Sequence, residues 1–321
     1  MIPDQSSDGK VVDQPVTTRR FVAVVNPIAG GGAAAQRWAE VRQQLQHDGH
    51  RVDTIESQSR AHAIASAKQA AIEGNIVVAV GGDGTVRDVV NGVAPTGGTI
   101  AVVPSGRGND LAEVLRIPTA TKDLASLMSK GPTRSIDLIQ VGTDFVPGNV
   151  YVGLDGRSTD MINRFRWVPA GLLYRLAPFL ATIGWRRFTA TIESSLLGDS
   201  AARTSQSIRA HMVVIANSGR YGHGLQMVPT ASVDDGQLDV LVVRGVNVLR
   251  LTSLMPQATR GTHMNRPDIS TWPATHATIS ADRPLPYYAD GEKIGMLPCT
   301  VSIRPAMLNI IAPTTPPPQS L

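Results

Sequence analysis

Three short apolar runs, each ending in a glycine-rich turn, set the plan of the first half of the chain. Phe21 to Val25 runs into Asn26-Pro27-Ile28-Ala29-Gly30-Gly31-Gly32. Ile76 to Val80 runs into Gly81-Gly82-Asp83-Gly84-Thr85, and Thr99 to Val103 into Pro104-Ser105-Gly106-Arg107-Gly108-Asn109-Asp110. Between them, Ala33 to Asp48 has helical character and stops at Gly49. Arg51 to Ile55 reads as a strand, Ala61 to Glu73 as a helix stopped by Gly74, and Val86 to Val93 as a further helix. A β-α-β-α-β succession with short joints predicts a parallel sheet covered on both faces. Ligands of such sheets bind at the carboxyl ends of the strands, so all three turns are expected at one edge.

After about residue 140 the texture changes to short β-rich runs separated by turn residues. These are Asn149 to Val152, Thr189 to Glu193, Ile208 to Ala216, Leu238 to Val243, Ala277 to Ser280 and Thr300 to Ile303. They predict a second, mainly antiparallel domain. Residues 1–19 read as a flexible leader and the Pro-rich residues 312–321 as a disordered tail.

A length of 321 residues suits two domains, and 42% hydrophobic with 17% charged residues excludes a disordered chain. The net charge of +4 is compatible with an anionic partner without choosing one. Cys299 is the single cysteine, so neither an intrachain disulfide nor a thiolate metal cage can form, and a reducing compartment fits. Residues 1–19 carry no apolar core of a signal peptide, and no run of 18 apolar residues occurs. The most apolar patch, Gly171 to Gly184, is broken by Arg175 and Pro178. The expectation is a chain soluble in the cytoplasm or peripheral to a membrane.

The central turn, Gly81 to Thr85, carries the most chemistry. Glycines let backbone amides approach an anion at a helix N-terminus, which suits phosphate. The carboxylate of Asp83 makes sense there if a divalent cation lies between it and the phosphates. A plain turn with an N-capping Asp is the competing reading. In the third turn, Gly106, Gly108 and Ala112 also satisfy the G-x-G-x-x-A dinucleotide pattern, but the next acid, Asp123, falls in a helical stretch. His223 has no second histidine at metal spacing and reads as a loop residue. The acidic loop at 232–238 fits either a hard cation held by Asp235 and backbone carbonyls, or a simple Asx turn. The sequence holds no P-loop, no H-E-x-x-H, no G-x-S-x-G and no protein-kinase set.

Taken in order, five motifs resemble the diacylglycerol kinase catalytic family, which includes bacterial lipid kinases and the sphingosine and ceramide kinases. They are Asn26-Pro27-x-x-Gly30; Gly81 to Thr85 with Asn91-Gly92; Pro104-x-Gly106-x-x-Asn109-Asp110-Leu111-Ala112; Pro229-x-Ala231 with Asp235-Gly236; and Asp290-Gly291-Glu292. The resemblance spans roughly residues 20–311. It implies an α/β N-terminal domain (20–139 plus 293–311) with a parallel sheet flanked by helices, and a mainly antiparallel β-sandwich domain (140–292). It places ATP in the cleft between them and returns the last segment to the first domain. It implies transfer of the ATP γ-phosphoryl group to a lipid hydroxyl, with diacylglycerol as the first choice of acceptor.

By the same resemblance, Gly81, Gly82, Gly84 and Thr85 would hold phosphates and Asp83 would meet a catalytic Mg²⁺. Asn26, Gly30, Gly106, Arg107, Asn109 and Asp110 belong to the nucleotide motifs, and Ser57 stands where the family has a nucleotide-contacting threonine. Glu292 would be the general base, supported by Asp290. Asp235, with the carbonyls of Ser232 and Gln237, would form a structural Mg²⁺ site. Three positions depart from the pattern: Arg107 replaces a usual threonine, Asp88 a usual glutamate, and Gly31-Gly32 a basic residue. Arg107 could clamp phosphate directly.

Residues 157–187 hold six arginines, one acid (Asp160) and five aromatic rings. That mixture suits a lipid substrate taken from an anionic membrane surface, on the inner face for a cytoplasmic enzyme. Alternatively Trp167, Leu172, Leu173 and Leu176 are core and the arginines snorkel outward. No nucleic-acid module appears, and a homodimer is compatible with the sequence. Two rival functions stand beside the lipid kinase. A NAD kinase shares Gly81 to Thr85 but would carry G-x-N-x-G-x-x-G-F-L next. A catalytically silent nucleotide- or lipid-binding module would not need Asp83 and Glu292.

Overall fold

A computed structural model describes residues 18–165, 168–196, 204–222, 224–247, 250–251 and 253–314. The leader to residue 17, the tail from 315, and Arg166, Trp167 and His223 lie outside the described residues.

The predicted parallel sheet is present. Strands β1 (Arg20–Val25), β2 (Arg51–Glu56), β3 (Ile76–Gly81) and β4 (Thr99–Pro104) lie side by side in the order β2-β1-β3-β4, all parallel. The apolar runs of β1, β3 and β4 are buried on both faces, as central parallel strands require, whereas β2 alternates as an edge strand. Helix α1 (Ala33–His47) covers the sheet with the stripe Ala34, Trp38, Val41 and Leu45. Helices α2 (Arg60–Ile72), α3 (Asp83–Val93), α4 (Asp110–Val114) and α5 (Thr121–Lys130) complete the layers.

The second half is a mainly antiparallel β structure, as expected, with helices that the sequence reading did not separate out. Its strands are β5 (Thr133–Val141), β6 (Asp144–Val146), β7 (Asn149–Gly153), β8 (Phe188–Ser195), β9 (Thr204–Ala216), β10 (Leu238–Arg244), β11 (Ile269–Ala274), β12 (His276–Ala281), β13 (Pro286–Ala289), β14 (Glu292–Met296) and β15 (Cys299–Ile311). Period-two alternation gives this sheet two buried faces. Val213 and Ile215 of β9 point with Val150, Val152, Val240 and Val242 into one core. Met212, Val214 and Ala216 point into another with Tyr151, Leu241 and Val243. Helices α6 (Leu154–Arg164), α7 (Ala170–Ala181) and α8 (Leu254–Arg260) belong to the second half. Leu154, Ala181, Leu254 and Ala258 contribute to the second core.

Strand β15 joins the halves. Its first residues pair antiparallel with β12, while Asn309 and Ile310 pair parallel with Thr99 and Ile100 of β4. The register against β5 shifts between Arg304 and Leu308. The buried carboxylate of Asp137 holds that bend: Oδ1 accepts from Ala306 N (2.7 Å) and Oδ2 from Gly236 N (2.6 Å).

Candidate active site

The three glycine-rich turns meet at the carboxyl edge of the parallel sheet. Two backbone bonds continue the ladders past the strand ends: Asn26 N donates to Val80 O (3.1 Å) and Ser105 N to Gly81 O (2.8 Å). The turns then touch. A β-carbon on Gly106 would sit 2.3 Å from Gly82 Cα, so only glycine permits that approach. One on Gly30 would sit 2.6 Å from Ser105 O, at a φ of +59°. Asn26 Nδ2 donates to Thr85 Oγ1 (3.3 Å). Ser57, just past β2, turns inward instead: its N–H and its hydroxyl both donate to Val25 O (2.8 and 3.1 Å).

Asp83 opens α3 and reaches across to the third turn. Its carboxylate accepts from Asn109 N (2.8 Å, Oδ2) and Asp110 N (2.7 Å, Oδ1), capping the start of α4. Burial pushes its pKa up, and the two backbone bonds pull against that. Asn109 closes its own turn, with Oδ1 accepting from Gly106 N (2.7 Å) and Nδ2 donating to Gly106 O (3.1 Å). Asp110 carries the connection into the second half, where Oδ2 accepts from Gly222 N (3.1 Å). Arg107 stands exposed at the tip of the turn.

The Asp290-Gly291-Glu292 segment arrives from the other side. Asp290 and Gly291, at φ +44° and +84°, form the two-residue turn between β13 and β14. Asp290 is turned into the protein, where it accepts from Asn149 N (3.0 Å) and Gly148 N (3.4 Å), so it fixes the turn rather than touching Glu292. Burial raises its pKa to about 6. Glu292 is half exposed and lies against α3. Its Oε1 is 2.9 Å from the position a β-carbon on Gly84 would take, and its Oε2 forms an ion pair with Arg87. Arg87 is buried, and its Nη1 donates to Ala289 O (3.1 Å). Thus a buried guanidinium on α3 anchors both ends of the hairpin turn that presents Glu292. The sequence reading passed over Arg87, because its burial depends on contact with β13 and β14, about 200 residues away along the chain.

Next to this junction is a cavity of about 1100 Å³, its open mouth included. Asp83, Asp110, Asp290, Gly291 and Asn149 line one part. Leu154, Ile162, Pro178, Phe179, Met212, Leu225, Met227, Leu251, Leu254 and Met255 supply an apolar body. Asp155 on α6 also lines it and accepts the hydroxyl of Tyr221, and burial raises its pKa to about 6. Tyr221 stacks on Tyr151 and Tyr151 on Tyr288, at centroid distances of 5.5 and 5.8 Å. Neither Asp155 nor the tyrosines stood out in the sequence.

Helix α7 shows a second feature. Leu173 is buried, but Leu172, Leu176, Phe179, Leu180 and Ile183 are exposed, flanked by the exposed Arg164, Arg175, Arg186 and Arg187. The reading of Leu172 and Leu176 as core is therefore corrected. They point outward because Leu173, Ala177 and Ala181 form the buried face of α7. No described helix is long and apolar enough to cross a membrane.

The acidic loop lies apart from this junction. Asp235 Oδ1 accepts from Gln237 N (2.9 Å), the Asx turn that the sequence allowed, and Ser232 Oγ donates to Asp234 Oδ1 (2.7 Å). Burial chiefly, then Asp137 and Asp234, push the Asp235 pKa up. Asp234 is paired with Arg134 (2.8 Å) and both Asp137 oxygens accept backbone N–H bonds, and among the described residues no three His, Cys, Asp or Glu side chains converge as a ready metal cage.

Residues 20–141 match the family described as "Diacylglycerol kinase catalytic domain" and residues 148–312 that described as "YegS C-terminal NAD kinase beta sandwich-like domain". The chain is 29% identical over 308 residues to a diacylglycerol kinase of Mycobacterium tuberculosis, covering 92% of this chain and 95% of that protein. It is 28% identical to a diacylglycerol kinase of Bacillus subtilis, over 87% and 92% of the two chains. A crystal structure of a diacylglycerol kinase from Bacillus anthracis superposes with a TM-score of 0.72 at 19% identity, over 92% of this chain and 97% of that one, and shows the shared fold.

Proposed function

The chain belongs to the diacylglycerol kinase family and is a lipid kinase, and on that premise we propose that it transfers the γ-phosphoryl group of ATP, with Mg²⁺, to the free hydroxyl of a diacylglycerol, giving phosphatidic acid. One observation carries the reading: a cavity with apolar walls and a carboxylate-lined end opens beside the turn where Asp83, Gly84 and Glu292 meet.

An alcohol is a weak nucleophile at neutral pH. Glu292 accepts its proton as the new P–O bond forms, and Arg87 holds that carboxylate in place. The amides of Gly82 to Thr85, at the start of α3, receive the phosphates, and the glycines let them come close. Gly30 and Gly106 keep the neighbouring turns tight enough to line the same edge. Asn26 and Thr85 brace each other, Ser57 ties the end of β2 to Val25 of β1, Asn109 closes its own turn, and Arg107 reaches the phosphates from outside.

The residues fit Mg²⁺. Asp83 faces the cavity with each oxygen bonded to one amide, which leaves a lone pair on each. A cation held there neutralises phosphate charge, the main demand of a loose phosphoryl-transfer transition state. Asp235, with the carbonyls of Ser232 and Gln237, would hold a second Mg²⁺ that braces the loop beside Asp137.

The exposed apolar face of α7 and its arginines support docking on an anionic bilayer at the inner face of a membrane. Phe179 belongs to both that face and the cavity wall, which gives a lipid a short path between the two. The test is incubation with γ-labelled ATP, Mg²⁺ and vesicles containing diacylglycerol, phosphatidylglycerol or a sphingoid base, with NAD⁺ in a parallel tube. Labelled phosphatidic acid is expected; label confined to NAD⁺, or to another lipid, overturns the acceptor assigned.

A further inference from the structure

Four carboxylates, Asp83, Asp110, Asp155 and Asp290, line the cavity, and among the described residues no Lys or Arg does. Three of the four are tied to backbone amides that shape the site: Asp83 to Asn109 and Asp110, Asp110 to Gly222, and Asp290 to Gly148 and Asn149. Among the described residues Asp155 has no such bond. Its hydrogen-bond partner is the Tyr221 hydroxyl, and no step of phosphoryl transfer uses it. The stacked rings of Tyr221, Tyr151 and Tyr288 back this pair and keep it from swinging away.

Resting on the lipid-kinase reading above, we propose that Asp155 acts as a charge filter of the acceptor cavity. It admits headgroups without negative charge, excludes anionic lipids, and drives out the phosphorylated product. The apolar walls contributed by Leu154, Ile162, Met212 and Met227 screen its field poorly. A free hydroxyl headgroup is indifferent to that field. A phosphate monoester carries about −1.5 to −2 charges near neutrality and is repelled. The acceptor and the product share their acyl chains, so apolar contacts cannot tell them apart. A charge fixed in the wall can, because discrimination then comes from a repulsive contact with the wrong ligand. The same repulsion makes phosphatidylglycerol a poor acceptor although it offers free hydroxyls.

The experiment uses the full chain with dihexanoylglycerol and dihexanoyl phosphatidic acid, both as monomers in solution, so that membrane charge plays no part. Binding of each is measured calorimetrically for the wild type, Asp155→Asn and Asp155→Glu, and Asp155→Ser replaces Asp155→Asn if that variant does not fold. Loss of the charge is expected to tighten phosphatidic acid binding about tenfold and to shift dihexanoylglycerol affinity less than about twofold, while Asp155→Glu keeps the wild-type ratio. The product-inhibition constant falls by the same factor. An equal ratio of the two affinities in wild type and Asp155→Asn overturns the filter. Failure of the wild type to phosphorylate dihexanoylglycerol overturns the acceptor reading instead, and the binding ratio still reads the filter on its own.

Discussion

Gly84 and Glu292 are in contact across 208 positions of sequence: a β-carbon on Gly84 would lie 2.9 Å from Glu292 Oε1. The glycine has an ordinary helical position in α3, so its smallness serves the carboxylate opposite rather than an unusual backbone. Gly84→Ala therefore separates fold from function. Alanine gains up to about 1 kcal/mol of helix propensity, so the melting temperature holds or rises. The added methyl displaces Glu292, and kcat drops about tenfold or more. Paired melting curves and turnover measurements check this, and full activity in the variant removes the contact from the mechanism.

Glu292→Gln keeps the shape and loses the base. A fall in kcat of about 10²–10⁴-fold is expected, with nucleotide affinity within about twofold of wild type. Arg87→Met leaves Glu292 unheld and the Ala289 carbonyl without its donor, which costs about 1–3 kcal/mol of stability and lowers kcat as well. Label incorporation, equilibrium nucleotide binding and urea unfolding read the three quantities separately.

The acidic loop gives a metal-linked prediction. With Mg²⁺ at Asp235, adding Mg²⁺ raises the melting temperature of the wild type, as any ligand of the native state does. In Asp235→Ala that increment shrinks to what a cation at Asp83 alone supplies. A wild-type melting temperature that is the same with and without Mg²⁺ removes the cation from this loop and leaves only its Asx turn.

Leu176 and Leu180 are 46% and 45% exposed on α7, so a charge there scarcely affects the fold. The pair Leu176→Asp and Leu180→Asp should abolish sedimentation with anionic vesicles while turnover on dihexanoylglycerol in solution stays unchanged. Undiminished vesicle binding moves the docking face elsewhere.

Asp155 also predicts a pH dependence. Its folded-state pKa, about 6, lies above the ordinary carboxylate value, because burial penalises the charge. A carboxyl raised in this way costs no stability below its unfolded pKa of about 3.9, and costs progressively more as pH rises through about 6. Asp155→Asn keeps an oxygen for the Tyr221 hydroxyl and removes the charge. It should stabilise the fold by on the order of 2 kcal/mol at pH 8 and by almost nothing at pH 4. Urea midpoints at the two pH values give the comparison.

The elements that build the phosphate edge were plain in the sequence because each is local. Apolar runs such as Ile76 to Val80, a glycine turn and a helical stretch announce strand, turn and helix within some fifteen residues. The glycine turn itself pointed to Asp83, and the family resemblance added Glu292, which lies against Gly84, the next residue of α3. What the sequence hid is what depends on distant partners. Arg87 lies in a helix buried nearly all round, between the sheet and the β13–β14 hairpin, and no single stripe marks it. Asp155 and Tyr221 are 66 residues apart and meet only after α6 packs on the second sheet. Helix α7 was obscured by its own composition. Leu172, Leu176, Phe179 and Leu180 stand on its exposed face beside Arg175, so apolar residues alone do not mark which side is buried.

Strand β15 places a constraint on the order of biosynthesis. It lies between β4 and β5 and completes the sheet that carries the glycine turns, yet it is made after nearly every other element. Until the ribosome has passed Ile311, β4 has a bare hydrogen-bonding edge, and the turn that holds Asn109 and Asp110 stands on the outermost strand of an unfinished sheet. A nascent chain stalled before Cys299 would thus carry most of its chemistry on a platform open to wrong pairing, and emergence of β15 is the event that closes it.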